Sequence, residues 1–418
     1  MMTCSMAGER RHCTKPCRER LRYMWHVLVA FLVVFPLDVL FWRGTWDLLD
    51  YYAVVDCASE QDRGNASMAH VHGMQHENYE AACVEFTGNW MTTIFGISVC
   101  VLLNCVSPLV QSTADRCRAG TFHATSRLYS YVYAIAYLGQ WRGTWNLVDA
   151  YSGDYGWRGN LVAFIVCLML NFLFRLNQFW MSSPWEVHID NDRDMFFSRP
   201  WLGSKPQNGM WQYCIDQLLS QVICVNLNIS TWRSLWNTLD DTIYPDNLVA
   251  SALLTLLSGA VILVLLALSQ NTVVAYSASF KKSKWFQRSL LDGCFYVVVN
   301  VCVVSMWRGL WNLIAEYFFP DLFVGGLVCH GLGAVCLLAV MSFSTVYENS
   351  VDIDGESEDG ENLRPQLTPA TGWSLLRKKS NQNKSDGIRM QDDQLSPATN
   401  KESTVQDLFL ESDARQSV

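Results

Sequence analysis

The chain has 418 residues, of which 50% are hydrophobic and only 17% charged, and its net charge is −8 at neutral pH. Long apolar runs dominate from about residue 24 to 345 while the ends are polar. This excludes a soluble globule and points to an all-α polytopic membrane protein with soluble tails.

The first 23 residues are basic, carrying Arg10, Arg11, Lys15, Arg18, Arg20 and Arg22. Cys13 and Cys17 lie close to the first apolar segment and are candidates for palmitoylation, with unmodified thiols as the alternative. Apolar segments then follow at about 24–41, 90–110, 128–141, 160–181, 213–231, 247–268, 290–306 and 322–345. Most approach the roughly 20 residues a helix needs to cross a bilayer. The third is the weakest, being short and rich in Tyr. The first contains Pro36 and is followed by no small-residue cleavage site, which argues against a cleaved signal peptide. Nine of the 15 cysteines fall in these apolar segments, where the thiol reads as a small packing group.

Lys and Arg set the expected orientation. With the N-terminus in the cytosol, 25 of the 31 fall on the inner side and six on the outer side. The outer six are Arg43, Arg63, Arg142, Arg158, Arg233 and Arg308. The first outer loop, about 50–89, is the only long one. It holds the sequon Asn65-Ala66-Ser67, an expected glycosylation site. It also holds Cys57 and Cys83, the two outer cysteines and a candidate disulfide on the oxidising face, with free thiols as the alternative.

Four outer arginines belong to one repeated pattern, W-R-[GS]-x-W-[ND], found after each odd-numbered apolar segment. The copies contribute Trp42, Arg43, Trp46 and Asp47; Trp141, Arg142, Trp145 and Asn146; Trp232, Arg233, Trp236 and Asn237; and Trp307, Arg308, Trp311 and Asn312. An internal repeat governs architecture. The expected unit is span, motif, outer loop, span, giving eight transmembrane helices as four repeated helix pairs. If each motif continues its helix, the two Trp share one face. The Arg shares another with the residue four positions on and an acid seven positions on: Asp50, Asp149 and Asp240, with Ala315 in the fourth copy. Two readings follow. In one, Trp residues mark the membrane boundary, Gly44, Gly143 and Gly309 allow close packing, and each Arg pairs within its own copy to form a structural collar. In the other, the four Arg ring a central axis and bind an anion or line a pore. The nearby polar partners favour the collar, because an unpaired Arg near lipid is costly.

Polar groups inside the spans are sparse. Asp216 and Asp292 begin spans five and seven, Asp38 ends span one, and His330 lies within span eight. They are candidates for ion or proton coupling, against interfacial, hydrated aspartates and a packed histidine. No P-loop, G-x-S-x-G, H-E-x-x-H or zinc spacing occurs, so no enzyme activity, cofactor, metal site or nucleic-acid partner is expected. The segment from about 346 to 418, with its acidic run from Asp352 to Glu361, is expected to be a disordered cytosolic tail.

Eight spans, four motif copies at outer helix ends and a cytosolic tail resemble the Fuseless family over about 24–345. The resemblance implies an eight-pass protein of the presynaptic plasma membrane. Such a protein would organise active zones and support calcium-channel localisation and function in neurotransmitter release, acting on channel or scaffold proteins through its inner loops and tail. It also carries a loose likeness to transporters, so the alternative is a secondary transporter or channel for a small solute or ion. The third copy departs from the pattern at Ser234 and Thr238, and the fourth at Ala315. The family supplies no catalytic residue to carry over.

Overall fold

The computed structural model describes residues 22–367, except 66–74, 115, 117–118, 153–155, 189, 191–195, 197, 281–283, 319–321 and 357–362. Side chains are also not described at 53–65, 75–87, 119, 151–152, 322 and 366–367. The glycosylation expectation at Asn65 and the disulfide expectation at Cys57 and Cys83 therefore lie outside the described side chains. Cys13, Cys17 and residues 368–418 lie outside the described residues.

The described chain is built from α1 (Phe35–Asn65), α2 (Gln75–Ala114), α3 (Ala119–Ser152), α4 (Gly156–Phe174), β1 (Glu186–Val187), α5 (Met210–Leu219), α6 (Asn226–Thr242), α7 (Leu248–Ala278), α8 (Trp285–Tyr317), α9 (Leu322–Val340) and β2 (Gln366–Leu367). A π-turn at Ala30–Val34 leads into α1, and another at Ser220–Val225 joins α5 to α6 without a break. Six stretches are long and apolar enough to cross a bilayer: Arg22–Tyr52, Gly88–Ala114, Gly156–Phe174, Leu248–Ala278, Trp285–Tyr317 and Phe323–Val340. The chain is a multi-pass membrane protein.

The two helical stretches that fall short on apolarity are α3 and the α5–α6 rod. Both bury one face in the bundle, and polar groups on that face bond to other helices. Asn104 of α2 donates to Tyr133 of α3 at 3.2 Å and to Gln217 of α5 at 3.0 Å. Gln140 of α3 donates to Gln221 O at 3.0 Å and to Asn226 at 3.1 Å. Asn171 of α4 donates to Thr231 of α6 at 2.9 Å. Such groups cannot be left unpaired in hydrocarbon.

The four motif-bearing helices, α1, α3, α6 and α8, touch in a closed cycle, and one outer helix packs on each. The pairing differs from the expected unit. Each motif helix packs against the helix before it (α2 on α3, α4 on α6, α7 on α8), and α9 closes the cycle on α1. The motif glycines are where these pairs cross. A Cβ at Gly143 would lie 2.6 Å from Asn89 O, one at Gly309 2.5 Å from Ala252 O, and one at Gly44 would overlap the backbone at His330.

Two further expectations need correction. The loop expected at about 50–89 is helical up to Asn65 and again from Gln75, because polar residues such as Glu60 and Arg63 end an apolar run without ending a helix. The tail also starts later than 346. Its described residues 347–356 and 363–367 pack against the bundle, with Val351, Asp354 and Leu363 buried. Asp354 accepts from Asn177 N at 3.1 Å, Asn177 Nδ2 at 2.8 Å and Gln178 N at 2.8 Å, and Val351 N donates to Arg199 O at 2.7 Å. β2 pairs in parallel with β1. An acidic run read as a solvated tail is here a set of acceptors for backbone N–H groups that the bundle's loop leaves open.

That loop and the C-terminal strap leave their helices in the same way. Arg175 and Met341 have φ of 60° and 57°. Leu176 N reaches Asn171 O at 2.8 Å, and Ser342 N reaches Leu337 O at 3.0 Å, the bonding of a Schellman turn. Arg175 is held there by the Ser289 hydroxyl, the Asp354 carbonyl and the face of Trp285, its guanidinium 5.4 Å from the ring centre. The two segments then cross one end of the inner four-helix ring, opposite the motif asparagines and aspartates.

Candidate functional site

Trp at positions four apart on a helix projects from one face, and in all four motif helices that face is turned to the central axis. Trp42, Trp141, Trp232 and Trp307 form a closed tetrad, each edge-to-face with the next, with centroids 5.1–5.8 Å apart and planes at 82–90°. Trp46, Trp145, Trp236 and Trp311 form a second tetrad one turn on, at 5.7–6.0 Å and 87–90°. Edge-to-face contact is the preferred aromatic arrangement, worth about 0.5–1.5 kcal/mol per pair beyond burial. The expectation of Trp at the membrane boundary is therefore corrected: these eight rings face inward.

Three indoles of the first tetrad are capped from the strap end. Trp42 Nε1 donates to Val346 O at 3.1 Å, Trp232 Nε1 to Trp180 O at 3.0 Å and Trp307 Nε1 to Ser183 O at 2.8 Å. Residues 176–188 and 342–351 thus form a floor across the ring.

The arginines point away from the axis, at neighbouring helices. Arg142 Nε donates to Asp50 at 2.6 Å, Arg233 Nε to Asp149 at 2.7 Å and Arg308 Nε to Asp240 at 2.7 Å. Each Arg therefore pairs with the acid seven positions into the previous copy, not with its own. Arg142 also reaches Asn89, Arg233 reaches Asn160, and Arg308 reaches Ser251 and Thr255, so each guanidinium also clamps the outer helix packed on its own helix. The three are buried. The collar expectation survives, but its bonds run between copies. An Arg one residue past an axis-facing Trp is rotated by about 100° and looks sideways into the next helix.

The fourth copy explains its own departure. Arg43 should find its partner at Ala315, which has no acid. It instead pairs with Asp47 in its own helix at 2.9 Å and lies over Trp311 at 5.2 Å. Asp47 is the one acid at a position where the other copies have Asn146, Asn237 and Asn312. Of those amides, Asn146 donates to Asn89 at 3.3 Å and Asn237 to Asp149 at 3.2 Å. Asp47→Asn should therefore lower thermal stability, and adding Ala315→Asp should recover it by rebuilding the bond between copies. Melting of purified single and double variants checks this, with a coupling of about 1 kcal/mol expected for a half-buried pair.

The intramembrane polar candidates do not form one site. Asp216 accepts from Leu202 N at 2.9 Å and Ser204 N at 3.0 Å; Asp292 accepts from Ser277 at 2.8 Å; Asp38 accepts from Ser183 at 2.7 Å. All three are buried at 1% exposure or less, so they are hydrogen-bonded rather than hydrated at an interface. His330 is a packed histidine, its Nδ1 2.8 Å from Thr45 Oγ1 and its Nε2 3.0 Å from Tyr131 Oη. Thr45 Oγ1 donates to Phe41 O at 2.7 Å, so a ring protonated on Nδ1 satisfies both contacts. The nine span cysteines are unpaired.

An axial cavity of about 210 Å³ is lined by both tetrads and, toward the floor, by Tyr137, Asn228, Glu186, His188 and Glu348. His188 Nε2 lies 3.4 Å from Glu186 and 3.8 Å from Glu348. Burial works against the imidazolium, but the two carboxylates outweigh it and hold His188 well above the usual histidine range. Burial pushes the Glu348 carboxyl up, opposed by His188. Burial and the charges of Glu186 and Glu348 push nearby Asp352 up to about 7, against Arg199. The ligand atoms of Glu186, His188 and Glu348 lie within 4.8 Å of one another. This trio was not legible in the sequence. The available signal was the aromatic content of residues 179–185, with Trp180 and Trp185 fully buried, which is unusual for a solvated loop.

A Fuseless family model matches residues 85–347 of the chain, three of the four motif copies and more than half its length. The chain belongs to the Fuseless family. No curated protein and no solved structure matches it. For this Fuseless member, then, the Trp tetrads and the arginine collar stand as the geometry of the motif itself.

Proposed function

We infer that this Fuseless-family protein is a non-enzymatic organiser in the presynaptic plasma membrane. It spans the bilayer eight times, with both termini cytosolic, and supports calcium-channel localisation and function at active zones through its inner loops and tail. Family membership supports the presynaptic assignment. The observation that carries the organiser reading over a conduit is the floor that crosses one end of the axis. Its segments bond three tetrad indoles, and the guanidiniums that could have lined a pore are engaged elsewhere, three between helices and Arg43 within its own helix. Loss of the protein should lower presynaptic calcium influx and disperse channel puncta, with rescue by the intact chain. Unchanged calcium signals and puncta would overturn the reading.

A transporter is the second reading, favoured by the axial cavity. Reconstituted liposomes separate the two. The organiser reading expects no solute flux or current, and expects Arg142→Gln, Arg233→Gln and Arg308→Gln to reduce folded protein, Arg43→Gln least. Robust flux abolished by those changes would sink it. Glycosidase-sensitive mobility lost in Asn65→Gln would support the outer placement of the first loop and the cytosolic N-terminus.

A further inference from the structure

We propose that the axial cavity binds a small organic cation, a quaternary ammonium or a protonated amine, seated within the tryptophan tetrads with its charge toward Glu186 and Glu348.

The wall is the first argument. Cations are held over aromatic faces, Trp best of all, within about 6 Å of the ring centre. Tetrad edges of 5.1–6.0 Å, taken as a square, place the axis roughly 4 Å from every ring centre, inside that reach. In an edge-to-face cycle each ring takes a neighbour's edge on one face, so the axis lies oblique to every ring plane and all eight rings border it.

The charge of the lining is the second. Although each motif copy carries an Arg next to its first Trp, no Lys or Arg lines the cavity among the described residues. The acidic and basic side chains of the lining are Glu186, Glu348 and His188. Two carboxyl groups thus face one imidazole, and no guanidinium or ammonium of the lining stands against them.

Size is the third. About 210 Å³ is below the roughly 300–1,000 Å³ of pockets for drug-sized ligands. It suits one small ammonium rather than a peptide. The site is independent of the presynaptic reading: a cation site could serve an organiser or a transporter alike.

The test uses the purified full chain in detergent, following tryptophan fluorescence and the melting temperature. Choline is the probe, and its uncharged isostere 3,3-dimethyl-1-butanol is the control. Choline should change the fluorescence saturably and raise the melting temperature, while the alcohol should do neither at equal concentration. Glu348→Gln, which keeps the side chain's shape, should weaken choline at least tenfold. Trp145→Leu in the second tetrad, whose indole caps no floor carbonyl, should do the same without loss of fold. Equal responses to choline and the alcohol would overturn the proposal, as would no response to either. So would a response to calcium or zinc alone, which would assign the trio to a metal, or choline binding that neither variant alters.

Discussion

Gly309→Ala and Gly44→Ala should each destabilise the bundle by about 3 kcal/mol or more, and the leucine variants should yield no monodisperse protein. Overpacking a well-filled core costs about 1–3 kcal/mol when side chains can move aside. Here the obstructing atoms are backbone: Ala252 O at 2.5 Å from a Cβ on Gly309, and the carbonyl of Gly326 at 2.6 Å from one on Gly44. Relief requires the inner and outer helices to separate. That would stretch the guanidinium bonds running across the same crossing, such as Arg308 to Ser251 at 2.8 Å. Gly331 of α9 is the control. A Cβ there meets nothing within 4 Å, so Gly331→Ala should be neutral or stabilising by up to about 1 kcal/mol. Size-exclusion profiles and melting of the set check the ranking. A Gly309→Ala protein as stable as Gly331→Ala would contradict the close crossing.

Arg308→Gln is the second large loss, about 3 kcal/mol. Its guanidinium is 2% exposed and bonds Asp240, Ser251 and Thr255 at once, tying the fourth copy to the third and α8 to α7. Breaking a buried pair by removing one partner typically costs about 3–5 kcal/mol. The lower end applies because Asp240, 41% exposed, can regain water. Arg308→Lys should recover little, since one ammonium cannot present the planar fork that three acceptors require. Arg43→Gln should cost less, about 1 kcal/mol, because its bond to Asp47 is a partly buried contact within one helix that ties no second copy. A double cycle of Arg308→Gln with Asp240→Asn, read by melting, should show coupling. Equal losses at Arg43 and Arg308 would argue against pairing between copies.

The helical segments, the four motif copies and their common end of the bundle were readable from apolar length, Trp spacing and the Lys/Arg imbalance. The expected pairing of each arginine within its own copy holds for Arg43 with Asp47, whereas Arg142, Arg233 and Arg308 take the acid of the previous copy. Spacing of i to i+7 puts Arg142 near Asp149 on one helix surface, but the same sideways projection puts it 2.6 Å from Asp50 of the previous copy. A helix's rotation about its own axis is set by its neighbours, and a single sequence does not contain it. Glu186, His188 and Glu348 were invisible for a related reason. They come from segments 160 residues apart that meet only because two Schellman turns direct them across the same end of the ring.

The chain alone therefore dictates a repeat-built, multi-pass helical protein whose motif ends share one layer, since apolar run length and side-chain period are local properties. It also marks Ser234, Thr238 and Ala315 as places where fourfold equivalence breaks. The tertiary structure decides what those residues do. It turns eight tryptophans from an expected boundary belt into the wall of an axial cavity. It sends each buried arginine to the previous copy, and it draws the acidic strap under the ring as a floor. The physical reason is closure. Once four helices complete a cycle, the face that each would otherwise offer to lipid becomes a shared interior. Aromatic rings wall that interior, and Arg142, Arg233 and Arg308 lie beside it, each against an acid that a neighbouring helix supplies.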